Sequence, residues 1–303
     1  MLAIDENTIT DAALAQMSET ANPRLKQIMA ILVKHLHAFA READLTPEEW
    51  LDGIKFLTAV GQTCTPYRQE FILLSDTLGL SSLINALHDR RAIEHGTKTS
   101  LVGPFYRQDS PSRELGECIA ENPGDSGICI YGRVLNSAGQ AIPGASIQIW
   151  QTDDEGVYDL QRHDPSHMDL RATFTADERG NYHLRTVRPL GYMIPLDGPV
   201  GDMIRAQHRH GYRPAHIHFM IGAPGYRELV TALYLRKDDH IDSDTVFGVT
   251  DSLVTETVEN DPGSPFKELP SIRFDFTLGA ADAAGTGRVG ADPSQITKHT
   301  ASH

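Results

Sequence analysis

The sequence predicts a mainly β fold, in which a β-sandwich domain follows a helical N-terminal domain. Two patterns of apolar residues along the 303-residue chain support this prediction. From about residue 10 to residue 95 the apolar residues recur at helical spacing, and after Pro104 they alternate with polar residues as in strands. We therefore expect a helical domain over residues 1–100 and a sandwich over residues 101–280. Residues 281–303 are small, polar and free of aromatic side chains, and predict a flexible tail.

Three segments of the N-terminal region carry the signals of helices. Asn22 precedes a proline and is typical of an N-cap followed by proline at the first helical position. Thr46 and Glu49 form a capping box that opens a second helix. The third segment, residues 68–87, is apolar along one side, with Gly79 as a candidate break.

Short alternating segments in the second half predict the strands of the sandwich. Residues 127–135 and 145–150 are separated by the turn sequence NSAGQ, and we expect them to pair with each other. Residues 271–278 alternate as one strand, whose apolar face carries Ile272, Phe274, Phe276 and Leu278. Three further short segments bounded by Gly or Pro complete the predicted strands: residues 179–187, 215–221 and 229–235. Several such strands indicate a β-sandwich.

The charge and cysteine content exclude several classes of partner. The chain has 27 basic and 41 acidic residues, a formal charge of -14, and no run of Lys or Arg, so we expect it to bind neither nucleic acid nor an anionic membrane. No apolar window approaches the roughly 18 residues of a membrane span, and the N-terminus lacks the order of a signal peptide, which predicts a cytoplasmic protein. The three cysteines form no CxxC pair, so neither a disulfide framework nor a thiolate zinc site is predicted.

Two histidines lie two residues apart in the apolar segment RPAHIHFM. On a strand, His216 and His218 share a face with Met220, while the opposite face is apolar enough to pack against a core. Two neutral imidazoles on one face are well placed to bind a single metal ion. The alternative is a pair of core histidines that hydrogen bond to backbone or water.

Two tyrosines are the candidates to complete a metal site. Tyr158 follows an acidic turn in EGVYDLQ, and Tyr192 lies in the Gly- and Pro-bounded loop RPLGYMIPLDGP. A tyrosine in such a loop usually holds the loop by packing its ring. Beside the two histidines, however, the tyrosines form a pattern of four donors.

In these motifs the chain resembles the intradiol ring-cleaving dioxygenases, over about residues 20 to 278. The resemblance implies one non-haem Fe(III) per subunit, bound by Tyr158, Tyr192, His216 and His218. Phenolate is a hard anionic ligand, and two phenolates with two imidazoles favour a trivalent ion over zinc or ferrous iron. The resemblance also implies that two subunits pair through the helical domain, and the apolar stripe from Ile28 to Phe39 is consistent with a homodimer.

The activity implied by the resemblance is oxidative cleavage of a small aromatic diol or triol by O2, in the degradation of aromatic compounds. The substrate would bind iron through two adjacent oxygens, while Tyr192 leaves the metal and accepts a proton and Tyr158 stays bound. Arg213, three residues before His216, would stabilise negative charge that develops during attack by O2. The alternative for Arg213 is a surface arginine that precedes a proline.

The segments EFILLSDTLGLSSL, EGVYDLQ and YMIPLDGPVGDM most resemble the branch of the family that cleaves hydroxyquinol, benzene-1,2,4-triol. Asp76 is a carboxylate on an apolar helix face, where it needs a partner, and the third hydroxyl of hydroxyquinol would be one. Alternatively, Asp76 caps the following turn. The same resemblance places the remaining pocket residues, any of which could be plain core, at Leu73, Leu101, Val102, Gly103, Pro104, Phe105, Ile194, Pro195 and Val246.

One position departs from the relatives that cleave catechol. Ala232 stands where those relatives carry a glutamine beside the active-site arginine, which leaves the orientation of Arg213 open. This departure weakens the case for an ordinary catechol dioxygenase. Catechol and chlorocatechol dioxygenases are still the alternative activities, because the chlorocatechol enzymes share the IP-DGP loop and the RPAH-H motif. Two hypotheses place the chain in other functional classes. One is a non-catalytic β-sandwich binding module, and the other is a zinc hydrolase in which Asp159 or Asp197 would be the third metal ligand beside the two histidines.

Overall fold

The computed structural model describes residues 4–65, 68–92, 96–162, 164 and 166–281. The chain divides into two compact units, residues 1–59 and residues 60–303. The tail predicted for residues 281–303 lies outside the described residues from position 282 onward.

The first unit is helical. Its elements are α1 (Ile9–Gln16), α2 (Pro23–Glu42) and most of α3 (Pro47–Thr63). The Asn22 side chain accepts hydrogen bonds from two backbone N–H groups at the start of α2, as predicted for an N-cap. At the start of α3, Thr46 and Glu49 exchange the two hydrogen bonds of the predicted capping box, at 3.2 and 3.0 Å.

The second unit opens with two helices, α4 (Glu70–Thr77) and α5 (Leu80–Ala92), which meet at an angle of 71°. Gly79 lies between them with φ +74°, in the left-handed region that favours glycine, so the predicted break is confirmed. A further helix, α6 (Pro199–Ala206), was not predicted from the sequence.

Eleven described strands follow α5, and α6 lies between the fifth and the sixth of them. In chain order they are β1 (Gly127–Asn136), β2 (Ser146–Gln151), β3 (Arg171–Thr175), β4 (Asn181–Val187), β5 (Tyr192–Met193), β6 (Tyr212–Arg213), β7 (His216–Gly222), β8 (Leu229–Leu235), β9 (Val254–Thr255), β10 (Ser271–Arg273) and β11 (Phe276–Leu278). One sheet has the order β10-β1-β11 with β4 also paired to β1, the second has the order β3-β2-β7-β8-β9, and β5 pairs with β6. Alternate side chains of the two larger sheets form one buried core that includes Ile130, Ile147, Phe219, Leu233 and Phe276. This architecture confirms the predicted β-sandwich preceded by helices.

The structure corrects the predicted pairing of the first two strands. β1 and β2 belong to different sheets, because β1 pairs with β4, β10 and β11 whereas β2 pairs with β3 and β7. The turn NSAGQ folds the chain back only onto the end of β1, where Leu135 bridges Ala141. The chain then crosses to the other sheet. The predicted turn is therefore present, but the predicted pairing of the two strands on either side of it is wrong.

Two further expectations are corrected near the end of the described chain. Residues 271–278 form two strands, because the carboxylate of Asp275 accepts the N–H of Arg133 at 2.9 Å where strand pairing would continue. Ala281, the first residue of the predicted flexible tail, and Gly279 just before it are hydrogen bonded to the body of the unit. Arg227 N–H donates to the Gly279 carbonyl at 2.8 Å, and Ala281 N–H donates to the Gly225 carbonyl at 3.0 Å.

Candidate metal centre and active site

Three segments of the second unit converge on one buried centre. Strand β7 presents His216 and His218 on the same face, as its two-residue period requires. The short ladder of β5 and β6 places Tyr192 directly opposite Arg213. Tyr158 immediately precedes a single 3-10 turn, and all five side chains are buried.

The donor atoms of the predicted ligands lie close together. His216 Nε2 is 3.1 Å from His218 Nε2 and 3.4 Å from the Tyr158 hydroxyl. The ring of Tyr192 lies 5.4 Å from the ring of Tyr158 and 5.8 Å from that of His216, centroid to centroid. Neighbouring donors around a metal bound at about 2.0–2.2 Å are separated by roughly 3–3.5 Å. The separations in this cluster therefore suit a single bound ion.

Burial keeps both imidazoles neutral. Loss of solvent lowers the pKa of His216 and of His218 well below the usual value, and the neighbouring Arg213 charge lowers both further. The Nδ1 of His216 donates to the Pro214 carbonyl at 2.7 Å, which leaves the Nε2 lone pair directed at the centre. This carbonyl is a partner that the sequence did not reveal.

Burial also acts on the two phenols, because it disfavours their charged phenolate form. Burial raises the pKa of Tyr158 well above its usual value, and the nearby Tyr192 adds to this rise. Burial also raises the pKa of Tyr192, although Arg213 acts against it. Each hydroxyl therefore keeps its proton unless a bound cation replaces that proton. Two neutral imidazoles and two such phenols fit a hard trivalent ion.

Arg213 borders the centre and is only 2% exposed, so the alternative of a surface arginine is wrong. Its Nη1 lies 3.5 Å from the Tyr192 hydroxyl and 3.3 Å from His216 Nε2. Its Nε and Nη2 face the buried carboxylate of Asp244 at 3.2 and 3.4 Å. One edge of the guanidinium thus faces the candidate metal ligands while the other edge is held by a carboxylate.

The predicted pocket residues surround the same centre. Leu101, Ile194 and Val246 belong to the buried apolar cluster that contains both tyrosines, and three partly buried side chains pack against it: Leu73, Val102 and Phe105. The ring of Phe105 stacks on Tyr158 with centroids 4.3 Å apart. Pro104 and Pro195 are partly buried sequence neighbours of these residues.

Gly103 lies against a candidate ligand. Its φ is +71°, and a Cβ at this position would lie 3.4 Å from His218 Nε2. Both the backbone conformation and the proximity of the imidazole therefore favour glycine here.

Asp76 is buried, with 6% of its surface exposed. Burial raises its pKa to about 6, although a hydrogen bond from Ser81 and the charge of Arg213 lower it. The turn after α4 is closed by the Gly79 N–H, which donates to the backbone carbonyl of Asp76 at 2.9 Å. The carboxylate has Ser81, in the first turn of α5, as its hydrogen-bond partner, and its charge raises the pKa of Tyr192.

The carboxylates of the zinc hydrolase alternative are engaged elsewhere. Asp159 forms a buried ion pair with Arg171, and Asp197 accepts a hydrogen bond from Arg68 at 2.9 Å. Among the residues that the structure describes, no group of three or more His, Cys, Asp or Glu side chains is arranged to hold a metal ion.

Sequence reasoning missed three residues that support the centre. Asp244 and Tyr234 both contact the Arg213 guanidinium, and Trp150 stacks on His218 with rings 4.9 Å apart and nearly parallel. Trp150 and Tyr234 lie opposite His218 and His216 in the ladders of β2 and β8 with β7. Only knowledge of the strand register could have identified them.

Comparison with known proteins agrees with this geometry. The family profile described as "Dioxygenase" matches residues 101–280, and that described as "Catechol dioxygenase N terminus" matches residues 22–96. The chain therefore belongs to the family of intradiol ring-cleavage dioxygenases, enzymes whose reaction requires an aromatic substrate and O2, which excludes the binding-module alternative.

Several relatives are similar over nearly their whole length. The 6-chlorohydroxyquinol 1,2-dioxygenase of Cupriavidus pinatubonensis is 43% identical, over 92% of this chain and 99% of its own. The hydroxyquinol 1,2-dioxygenase of Rhizobium sp. is 40% identical, over 90% of this chain and 95% of its own. The crystal structure of hydroxyquinol 1,2-dioxygenase from Pseudomonas putida DLL-E4 matches with a TM-score of 0.83 and 43% identity, over 91% of this chain and 99% of that one.

No single helix in the described part of the chain has both the length and the apolar character to cross a membrane, although the bent pair α4 and α5 satisfies those criteria jointly.

Proposed function

We propose that this enzyme cleaves hydroxyquinol with O2 between two adjacent hydroxylated carbons. The product would be 3-hydroxy-cis,cis-muconate, the tautomer of maleylacetate, in the degradation of aromatic compounds. The observation that carries the substrate assignment is the buried carboxylate of Asp76 beside the candidate metal centre. The names of the similar relatives in Cupriavidus and Rhizobium support the same substrate class.

Asp76 distinguishes a triol from a diol. The third hydroxyl of hydroxyquinol would donate a hydrogen bond to this carboxylate, whereas catechol has no hydroxyl to offer there. A buried acceptor left without a donor costs about 1–3 kcal/mol. The site therefore favours hydroxyquinol over catechol.

The metal would be one Fe(III) per subunit, held by Tyr158, Tyr192, His216 and His218. When bound, ferric iron supplies the Lewis acidity that draws two substrate oxygens to the centre and activates the ring towards O2. The donor set supports this ion, because phenolates are hard anionic ligands and because burial keeps both imidazoles neutral and able to bind a metal.

Tyr192 is the proton acceptor in this proposal. Burial raises its pKa, so a Tyr192 oxygen that does not hold the metal would accept a proton from a substrate hydroxyl. Arg213 Nη1 lies 3.5 Å from the Tyr192 hydroxyl and would face the oxygens of a bound ring. A fixed guanidinium at this place stabilises the negative charge that develops in the ring during attack by O2.

The apolar wall completes the site. Phe105 covers the ring of Tyr158, and Leu101, Ile194 and Val246 are each 5% exposed or less. These side chains exclude water from the reacting ring and strengthen the electrostatic contribution of Arg213.

The enzyme would act as a homodimer. Along α2 the apolar stripe is exposed within the chain, at Ile28, Leu32, Leu36 and Phe39, each at least 45% exposed. A contiguous apolar helix face of this size is typical of a surface that a second subunit covers.

The test of this function is a comparison of kcat/KM for hydroxyquinol, catechol and a chlorocatechol, with 18O2 to follow both oxygen atoms into the product. We expect kcat/KM for hydroxyquinol to exceed that for catechol by about 10-fold or more. A higher kcat/KM for catechol or chlorocatechol would reassign the substrate, and the absence of oxygen uptake with all three would refute the proposal.

A further inference from the structure

We infer that Asp244 is a positioning residue for ring cleavage, which holds the Arg213 guanidinium so that its Nη1 edge faces the reacting centre. This inference rests on the proposed function and adds a residue to it. It also answers a question left by the sequence, in which Ala232 replaces the glutamine that could have oriented the arginine. Ala232 lies opposite His218 in the ladder of β7 and β8 and has no polar atom on its side chain to offer.

The contacts of Arg213 divide its guanidinium into two edges. The carboxylate of Asp244 accepts from Nε at 3.2 Å and from Nη2 at 3.4 Å, a side-on fork. The remaining nitrogen, Nη1, lies near the Tyr192 hydroxyl and His216. Because the guanidinium is planar, a carboxylate that fixes one edge also fixes the direction of the other.

Asp244 is itself held by its own turn. Its two carboxylate oxygens accept the backbone N–H groups of Val246 at 3.3 Å and Gly248 at 3.0 Å. The position of the carboxylate is therefore fixed by its own backbone turn as well as by the arginine. Since Val246 also belongs to the apolar wall of the pocket, the same turn positions both the arginine and the wall.

Tyr234 braces the fork from a second direction. Its hydroxyl accepts from Arg213 Nη2 at 3.3 Å and hydrogen bonds to the Ser100 hydroxyl at 2.9 Å. The space around these groups is filled, because a Cβ at Gly248 would lie 2.6 Å from the Tyr234 hydroxyl and 3.0 Å from Arg213 Nη2. Glycine at position 248 thus leaves the space that the fork and the Tyr234 hydroxyl occupy.

The fork distances are longer than the roughly 2.7–2.9 Å of the strongest charge-assisted bonds. In Asp244→Asn, the amide nitrogen would replace one acceptor oxygen and repel the guanidinium that it faces. The arginine would remain in the protein but would no longer be directed at the centre.

A double-mutant cycle tests whether Asp244 acts through Arg213. We expect Asp244→Asn to lower kcat for hydroxyquinol by about 10-fold or more in the wild-type background and by less than about 2-fold in an Arg213→Gln background. The affinity for hydroxyquinol without O2, measured by calorimetry, should change by less than about 3-fold. Tyr234→Phe, which leaves the fork intact, should lower kcat by only about 2–5-fold.

Matched variants separate this role from a loss of folding. Asp261→Asn removes a carboxylate that accepts from Tyr131 and Ser271, away from the centre, and should change kcat by less than about 2-fold. Melting temperatures of all variants show whether each is folded. If Arg213→Gln does not fold, Arg213→Lys provides a second background that keeps the charge but lacks the fork.

The outcomes distinguish this inference from the proposed function. An equal loss of kcat from Asp244→Asn in both backgrounds, or a loss that appears only in substrate affinity, would overturn the role of Asp244. A wild-type enzyme that does not turn over hydroxyquinol would instead refute the proposed function. Non-additive loss of kcat with unchanged affinity would support the inference.

Discussion

At the scale of single residues, the role proposed for Asp76 combines a cost in stability with recognition of the substrate. The carboxylate is buried at the pocket and meets the Ser81 hydroxyl as its protein partner, so its charged form is poorly solvated. A substrate hydroxyl would supply a further hydrogen bond. Such an arrangement is expected where a protein selects a ligand by a polar group at the expense of its own stability.

The first prediction concerns substrate choice. Asp76→Asn should lower kcat/KM for hydroxyquinol by about 10–100-fold, because the third hydroxyl loses a charged acceptor. The value for catechol, which has no group to place there, should change by less than about 3-fold. A parallel loss for both substrates in steady-state assays would place Asp76 outside substrate recognition.

The second prediction concerns pH and stability. Because burial raises the pKa of Asp76 from 3.8 to about 6, the folded state binds its proton more tightly than the unfolded state does. The resulting stabilisation is complete below pH 3.8 and is lost as the pH rises through about 6. Asp76→Asn avoids this loss, so the metal-free variant should exceed the metal-free wild type in free energy of unfolding at pH 8, by about 1–3 kcal/mol.

The measurement is urea unfolding of both metal-free proteins between pH 5 and pH 8. The advantage of the variant should shrink as the pH falls towards 5. A difference between the two proteins that stays constant across this range would show that Asp76 does not titrate as its burial requires.

The residues of the site differ in how far the sequence could reveal them. The candidate ligands and Arg213 lie in short local motifs, which can be recognised without knowing the fold. Asp244, Tyr234 and Trp150 have no local motif, because each acts through a contact between distant segments. Their roles depend on strand register and loop placement, which single-sequence patterns do not determine.

At the scale of elements, the same distinction holds between local and non-local signals. The caps of α2 and α3 and the break at Gly79 were predictable, because each is decided within a few residues. The pairing of β1 was not, since its partners β4, β10 and β11 lie about 45 to 150 residues away along the chain. A turn sequence predicts that the chain reverses its direction, but it does not determine which strands pair in the sheet.

The third prediction tests the close approach in the first sheet. Gly132 in β1 faces the backbone of Phe274 at the interruption between β10 and β11, where a Cβ would overlap the carbonyl oxygen. Gly132→Ala should therefore destabilise the protein by about 3 kcal/mol or more in urea unfolding. Gly222→Ala, at the end of β7 with open space around it, is the matched control and should change stability by less than about 1 kcal/mol. Similar values for both variants would contradict the described packing.

At the scale of the whole molecule, the exposed face of α2 predicts an assembly. Sedimentation at micromolar concentration should give the mass of a homodimer, because the burial of apolar area stabilises the association of two such faces. A double substitution, Leu32→Glu with Leu36→Glu, should shift the protein to monomer. Lys34→Glu changes a charge on the opposite side of the same helix and should leave the dimer intact. A wild-type protein that sediments as a monomer would contradict this prediction.

The central claim is that two phenols and two imidazoles of the second unit bind one ferric ion. Its most direct test is the visible absorption and iron content of the purified wild-type enzyme, compared with Tyr158→Phe, Tyr192→Phe and the control Tyr182→Phe. Tyr182 is a buried core tyrosine whose hydroxyl donates to the Phe274 carbonyl. We predict about one iron per chain and a broad tyrosinate-to-iron band in the wild type and the control, with the band altered or lost in the other two variants. A folded wild-type protein from iron-replete cells that is colourless and free of iron would contradict the claim, as would a band that neither ligand substitution changes.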